Sequence, residues 1–172
     1  MGLILICDID GTVADTIERV NMIIKKFNIA DRCWGEEEIN EFTRPEYIKT
    51  DELIGESKKL PELARRCKAK LIFLTGRSNR ARNATRIWLK NKLDIFDSVP
   101  LLMRDENDFS DPEVCKKKIF TDVVLKMYPD ASFIFFDDDE KALKMYSEFG
   151  IALKAPECWN NIRFFMGDEN DE

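Results

Sequence analysis

Leu3-Ile4-Leu5-Ile6-Cys7-Asp8-Ile9-Asp10-Gly11-Thr12-Val13 opens with a short apolar run that passes directly into two acids one residue apart. A continuous apolar run of this length, without alternation, reads as a strand buried on both faces. Asp10-Gly11-Thr12 breaks it. From Val13 onward Ile17, Val20, Ile24 and Phe27 recur near helical spacing, and Cys33 to Gly55 is irregular. Leu60, Leu63, Ala64 and Cys67 then form one helix face leading into a second strand, Lys70 to Leu74. Asn79 to Lys92 reads as a helix with Ala81, Ala84 and Trp88 towards the buried side. Val99 to Met103 is a third strand. Ser110-Asp111-Pro112 is a helix start, a polar cap followed by proline in the first turn, and that helix continues through Ile119, Val123 and Met127. Ala131 to Phe136 and Ile151 to Lys154 supply two more strands, with a helix from Lys141 to Phe149 between them. Alternating strands and helices predict an α/β fold, a doubly wound parallel sheet, with at most a small helical insertion after the first strand.

The 172 residues suit a single domain spanning 1–172, with room for a modest helical cover within 13–56. Hydrophobic residues at 44% and charged residues at 35% describe an ordinary globular chain rather than a disordered one. No apolar run reaches membrane-spanning length, and Leu3 to Ile6 is too short and lacks the basic flank of a signal peptide. The expected location is cytoplasmic, with no membrane partner. The five cysteines are scattered without a C-x-x-C pair, so they read as reduced thiols rather than a zinc site or disulfide framework. Cys158 and Arg163 fall one residue short of a cysteine-phosphatase spacing.

The chain contains no histidine, which removes Ser-His-Asp and Cys-His catalysis and His-ligated metals together. Carboxylates with a hard metal ion are the remaining candidates. The net charge of −6 is a weak argument against a nucleic-acid partner, because its distribution is polarised. Between Ser57 and Lys92 there are twelve Lys or Arg and one acid, Glu62; acids concentrate at Glu36-Glu37-Glu38 and from Asp168 to Glu172.

Three strands end in chemically loaded residues: Asp8-Ile9-Asp10-Gly11-Thr12, Thr75-Gly76-Arg77 and Asp137-Asp138-Asp139. In a parallel sheet these ends share one rim, where ligands bind, and the helix from Asp111 brings Lys116, Lys117 and Lys118 towards it. Carboxylates gathered at a few Å raise one another's pKa, and a divalent cation relieves this. Oxygen-only ligands suit Mg²⁺. With a lysine and a hydroxyl at hand, the set describes a phosphoryl-transfer site.

These residues resemble the motifs of the haloacid dehalogenase (HAD) superfamily: Asp8-Ile9-Asp10-Gly11-Thr12-Val13 first, Phe73-Leu74-Thr75-Gly76-Arg77 second, then a lysine and an acidic pair in order. The resemblance implies that Asp8 is a nucleophile forming an aspartyl-phosphate and that Asp10 serves as general acid and base. It further implies that Thr75 and a lysine bind the phosphoryl group, and that Mg²⁺ sits between Asp8, the backbone carbonyl of Asp10, and Asp137 or Asp138. Of the three lysines Lys116, in the first turns of its helix, is the choice. Asp137 is the first-choice ligand, Asp138 the second, and Asp139 a helix cap. Gly11, Thr12, Gly76, Arg77 and Arg80 complete the expected substrate contacts.

Thr75-Gly76-Arg77, Arg86-Ile87-Trp88-Leu89, Pro100-Leu101-Leu102-Met103, Ile119-Phe120, Asp137-Asp138, Met145-Tyr146 and Gly150-Ile151 resemble the phosphatase domain of the bacteriophage polynucleotide kinase/phosphatase family. That likeness covers about residues 70 to 160 and implies a 3′-phosphatase acting on DNA or RNA ends. No G-x-x-x-x-G-K-[ST] loop is present, so a kinase activity is not expected. Arg82 and Arg86 would extend a nucleic-acid track, a solvated basic face being the plain alternative. The rival functions are a small-molecule phosphatase such as a nucleotidase, with the Trp34 region as a lid, and a non-catalytic phosphate-binding module. Oligomeric state is left open, with Trp159, Phe164 and Phe165 free to dock on the domain or on a second copy.

Overall fold

The computed structural model describes residues 2–29 and 34–160; Cys33, Arg163, Phe164, Phe165 and the acidic run from Asp168 to Glu172 lie outside the described residues. The order along the chain is β1 (Leu3–Cys7), β2 (Ala14–Asp15), α1 (Ile17–Phe27), α2 (Glu36–Phe42), α3 (Pro45–Ile48), β3 (Glu52–Leu53) and α4 (Leu60–Arg66). There follow β4 (Lys70–Ser78), α5 (Arg82–Leu93), β5 (Leu101–Arg104), α6 (Pro112–Ile119), α7 (Leu125–Met127), β6 (Ser132–Asp137), α8 (Glu140–Tyr146), β7 (Ile151–Lys154) and α9 (Glu157–Asn160). A π-helical turn, Phe120–Val124, makes α6 and α7 one continuous helix.

The apolar run that opens the chain takes the central place in a five-stranded sheet of order β5-β4-β1-β6-β7, with every pairing parallel. Side chains alternate across a strand, so a central strand must be apolar at every position. On one face Leu5, Cys7, Leu71, Phe73 and Phe136 pack with Leu60 and Leu63 of α4 and with Trp88 and Leu89 of α5. On the other, Ile4, Ile6, Ile72, Leu74 and Phe135 meet Phe120, Val124, Met145 and Tyr146. Phe120 sits edge-on to Phe133, Phe135, Tyr146 and Phe149, a cluster that fixes the long helix on the sheet.

Register then places the strand ends. Cys7 lies opposite both Phe73 and Phe136, so Asp8, Thr75 and Asp137 emerge side by side. Asp8 N donates to Phe136 O at 2.9 Å, tying the first acid to the neighbouring strand. Asp139 caps α8, its carboxylate accepting from the backbone of Lys141 and Ala142.

Three features differ from the expectation. β4 runs on to Ser78 rather than stopping at Leu74, with an irregularity between Thr75 and Ser78 where it leaves register with β5. Ile17 is 65% exposed although its spacing suggested a buried face; the helix buries Arg19, Val20 and Ile23 instead. The irregular stretch contains a two-residue antiparallel pairing, Ala14 with Leu53 and Asp15 with Glu52, which draws residues 34–59 back to the rim of the sheet. Among the described residues no helix is long and apolar enough to cross a membrane.

Candidate active site

A cavity of about 610 Å³ opens at the carboxyl ends of β1, β4, β5 and β6, with α1 and α2 forming its outer wall. Asp8, Asp10, Gly11, Thr75, Gly76 and Lys116 line it. Lys116 is buried, at 2.7 Å from Asp137 Oδ2 and 3.2 Å from Asp8 Oδ2. Lys117 and Lys118 are exposed on the opposite side of the helix, Lys117 pairing with Glu148. The helical period decides among the three: Cys115, Lys116 and Phe120 share the buried side.

Burial pushes the Asp8 carboxyl well above the usual carboxylate range; Lys116 opposes this, while Asp137, Asp138 and Asp10 add to it. For Lys116 burial acts downward, but Asp137 and Asp8 outweigh it and hold the ammonium charged. One ligand oxygen each from Asp8, Asp137 and Asp138 lies within 4.8 Å of the others, and Asp8 Oδ1 is buried without a hydrogen-bond partner. An orphaned buried carboxylate oxygen is costly. Three acids against one lysine leave a negative, oxygen-only donor set, and a hard divalent cation such as Mg²⁺ fits it.

Gly11 is shaped by this crowding. Its φ is +78°, and a Cβ added there would stand 2.2 Å from Asp138 Oδ2. Gly11→Ala is therefore expected to cost about 1–3 kcal/mol through backbone strain and to displace the Asp138 carboxylate. Thermal denaturation together with divalent-cation titration reads both effects; unchanged stability and cation affinity would contradict it.

Asp10 stands apart from the three-acid group. Its Oδ1 accepts from Arg77 Nη2 at 2.7 Å and from Arg19 Nη2, and its Oδ2 accepts from Arg77 Nε at 2.9 Å. Asp51 Oδ2 receives the same two guanidinium groups, at 2.8 Å from Arg19 and 3.1 Å from Arg77. Burial favours the neutral form of Asp10, but Arg77 and Arg19 outweigh it and hold the carboxyl far below the usual range. Burial pushes Asp51 up to about 6 despite both arginines. The four side chains form a charge-balanced buried cluster in which Arg77 also donates to Thr85 Oγ1 and Arg19 to Phe42 O.

Several expected substrate contacts are spent elsewhere. The Arg77 guanidinium is 0% exposed and committed to Asp10 and Asp51 rather than open to a phosphate. Arg80 points out of the cavity: the short 3₁₀ turn Asn79–Ala81 carries it outward to Asn40 and Glu106. Thr12 is buried behind the site, its hydroxyl 3.4 Å from Asp138 Oδ1 and its carbonyl accepting from Trp159 Nε1 at 2.7 Å. Thr75 remains at the wall; its Oγ1 accepts from Arg77 N at 3.2 Å, leaving the hydroxyl proton for an acceptor in the cavity. Arg82 and Arg86 donate to the carbonyls of Leu101 and Val99. They anchor the entry to β5, which accounts for them without a nucleic-acid track.

Arg19 and Asp51 escape sequence reasoning because each belongs to a stretch without a motif. Neither leaves a signal in the sequence; the burial of Arg19 beside Val20 and Ile23 is seen only once the helix is packed.

Residues 3–156 match the family model described as the polynucleotide kinase PNKP phosphatase domain. No curated protein sequence matches the chain. Among solved structures, a chain of the Pnkp1/Rnl/Hen1 complex superposes with a TM-score of 0.63 at 22% identity, covering 90% of this chain and 46% of that one. A second, from the Pnkp1/Rnl/Hen1 RNA repair complex, gives 0.63 at 23%, covering 90% and 42%. A haloacid dehalogenase-like hydrolase of Streptococcus pneumoniae gives 0.56 at 15% identity, with 90% and 84% covered. The chain thus spans less than half the length of the Pnkp1 relatives it matches, and at these identities the likeness is one of fold.

Proposed function

Because the chain belongs to the polynucleotide kinase PNKP phosphatase domain family, HAD-type phosphoric monoester hydrolases, we propose that it removes the 3′-phosphate from DNA or RNA ends with Mg²⁺ through an aspartyl-phosphate. The observation that carries this reading is the buried Asp8, one oxygen beside Lys116 and the other without a partner, at the floor of the cavity. An oxygen so placed can approach phosphorus once a divalent cation relieves the repulsion from Asp137, Asp138 and Asp10 that disfavours its charge.

In this reading Asp8 attacks phosphorus, the bond to the leaving 3′ oxygen breaks, and Asp10 gives that oxygen a proton. Water then cleaves the acyl phosphate and returns a proton to Asp10. Lys116 and the Thr75 hydroxyl meet the phosphoryl oxygens. Mg²⁺ held by Asp8, Asp137, Asp138 and the carbonyl of Asp10 supplies charge stabilisation of the phosphoryl group. In the free protein the two arginines keep Asp10 ionised, which suits its base role; the acid role needs a proton. A phosphate dianion beside Asp10 raises its proton affinity and favours that form.

The test is phosphate release from a 3′-phosphorylated oligonucleotide and from the matching 3′-mononucleotide, with Mg²⁺ and with chelator. Activity on the oligonucleotide, at least about tenfold above the mononucleotide and lost with chelator, is expected. Equal or better use of the mononucleotide would make this a small-molecule phosphatase instead, a reading favoured by the apolar wall of Ile17, Trp34 and Phe42 over the cavity.

A further inference from the structure

Tyr146 is a polar residue buried beside the site with no part in the proposed reaction. It is the last residue of α8 and 1% exposed, and its hydroxyl has no hydrogen-bond partner among the described residues. Its ring lies flat on Phe135, with centroids 4.2 Å and planes 11° apart, and Phe120 meets it edge-on. None of these contacts uses the oxygen. Phenylalanine would fill the same place, whereas a buried hydroxyl left without a partner is costly.

The direction of that hydroxyl follows from the elements that hold it. α8 starts at the rim, where Asp139 caps it, and runs away from the rim, so Tyr146 stands at its far end. Helical side chains lean back towards the N-terminus, which turns the ring up towards the rim. Phe135, under the ring, and Asp137 are two residues apart on one face of β6, about 7 Å along the strand. On α6 Lys116 stands one helical turn before Phe120 and shares its buried side. Hydroxyl, ammonium and the Asp137 carboxylate are thereby brought to one layer. The charges acting on the phenol agree with this placement. Burial pushes it well above its ordinary pKa, Lys116 pulls against this, and Asp137, Asp8 and Cys115 add to it. The hydroxyl therefore stays protonated, a neutral dipole within the field of Lys116.

Lys116 has three N–H donors. In the free protein it faces Asp137 Oδ2 at 2.7 Å and Asp8 Oδ2 at 3.2 Å. As Asp8 bonds to phosphorus its carboxylate gives up charge and becomes a weaker acceptor, which leaves the ammonium free to swing on Asp137. We propose that Tyr146 is a positioning residue for Lys116: its hydroxyl oxygen accepts the hydrogen bond that Asp8 gives up, and so keeps the ammonium aimed at the phosphoryl oxygens. This rests on the phosphatase roles of Asp8 and Lys116 and is independent of what the leaving group is. An acceptor already in place costs no reorganisation at the moment of reaction.

The experiment compares wild type with Tyr146→Phe, which removes one oxygen and keeps the stacked ring, on a small aryl phosphate with Mg²⁺. Tyr146→Phe is expected to lower kcat about tenfold, with KM within about twofold and a melting temperature no lower than wild type. Affinity for orthovanadate, a mimic of the phosphoryl group in transit, should fall by the same factor. Vanadate binding needs no turnover, so it also tests the route in variants that do not react. In a Lys116→Gln background, Tyr146→Phe should weaken vanadate by less than about twofold. A kcat within about twofold of wild type overturns the proposal and leaves the hydroxyl without a role in the reaction. A loss of vanadate affinity as large without Lys116 as with it overturns the proposal as well, since the hydroxyl then acts through another group. So does a lowered melting temperature with kcat and KM disturbed together, the mark of a packing defect. Wild type inert towards both the aryl phosphate and a 3′-phosphorylated oligonucleotide would overturn the phosphatase role of Asp8 and the proposal with it, a result distinct from activity that ignores the hydroxyl.

Discussion

Asp8→Asn is expected to lower phosphate release by at least about 10⁴-fold while leaving the protein as stable as wild type or more so. The loss follows from the role proposed for Asp8 as nucleophile, since an amide oxygen neither attacks phosphorus nor forms an acyl phosphate that water can open. The stability expectation comes from the site's electrostatics. Burial and the neighbouring Asp137, Asp138 and Asp10 all disfavour a charge at Asp8, and Lys116 repays only part of this. An uncharged side chain of the same shape removes that repulsion, so activity and stability move in opposite directions. Release from an oligonucleotide and from a small aryl phosphate, beside thermal denaturation without divalent cation, measures both. Activity within tenfold of wild type would remove Asp8 from the nucleophile's place.

Arg77→Met is the change with the largest expected effect on the fold. It deletes the guanidinium that holds both oxygens of Asp10 together with Asp51 and Thr85, deep in the protein. Breaking a buried ion network by removing one partner costs about 3–5 kcal/mol, because charges left behind stay buried. Against a total stability of about 5–15 kcal/mol this is a substantial share. Urea unfolding should show the midpoint fall with little change in slope. Adding Asp51→Asn should recover part of the loss, since the charge then matches Arg19 and Asp10 again. A single variant within about 1 kcal/mol of wild type would mean the cluster is not structural.

How far the sequence discloses the site depends on where each residue stands. Asp8, Thr75 and Asp137 are legible because they follow apolar runs, and parallel strands deliver their ends to one rim. Lys116 is legible only in part: its place in the first turns favours it among three consecutive lysines, but the buried side that separates it from Lys117 and Lys118 is set by how the helix packs on the sheet. The clamp on Asp10 is not legible. Arg19 looks like one more surface charge on an amphipathic helix, and Asp51 lies in a segment without period. The two-residue pairing of Ala14–Asp15 with Glu52–Leu53, with Trp88 Nε1 donating to Asp51 O, brings that segment back over the rim, and so short a pairing leaves no pattern. Arg77 was legible in place but not in partner: its position beside the second motif suggested phosphate, whereas Asp10 and Asp51 already take its donors. Arg80, Arg82 and Arg86 illustrate the same limit from the other side. Their charge and spacing suggested a track, but whether an arginine faces a ligand or a backbone carbonyl is set by the tertiary path of the loop beyond it.

The hydrogen bond from Trp159 to the Thr12 carbonyl, with the indole stacked 5.0 Å from Phe136, has a bearing on how the protein comes into being. The loop bearing Asp8 and Asp10 is made well over a hundred residues before Trp159, yet that later residue fastens it. Its central strand likewise waits for β4 and then β6 before both edges are paired. A nascent chain halted before the end of β7 therefore carries Asp8, Asp10, Thr75, Lys116 and Asp137 but lacks the tryptophan that secures the loop of the first two. The anchoring of that loop then waits until β7 and α9 have both emerged.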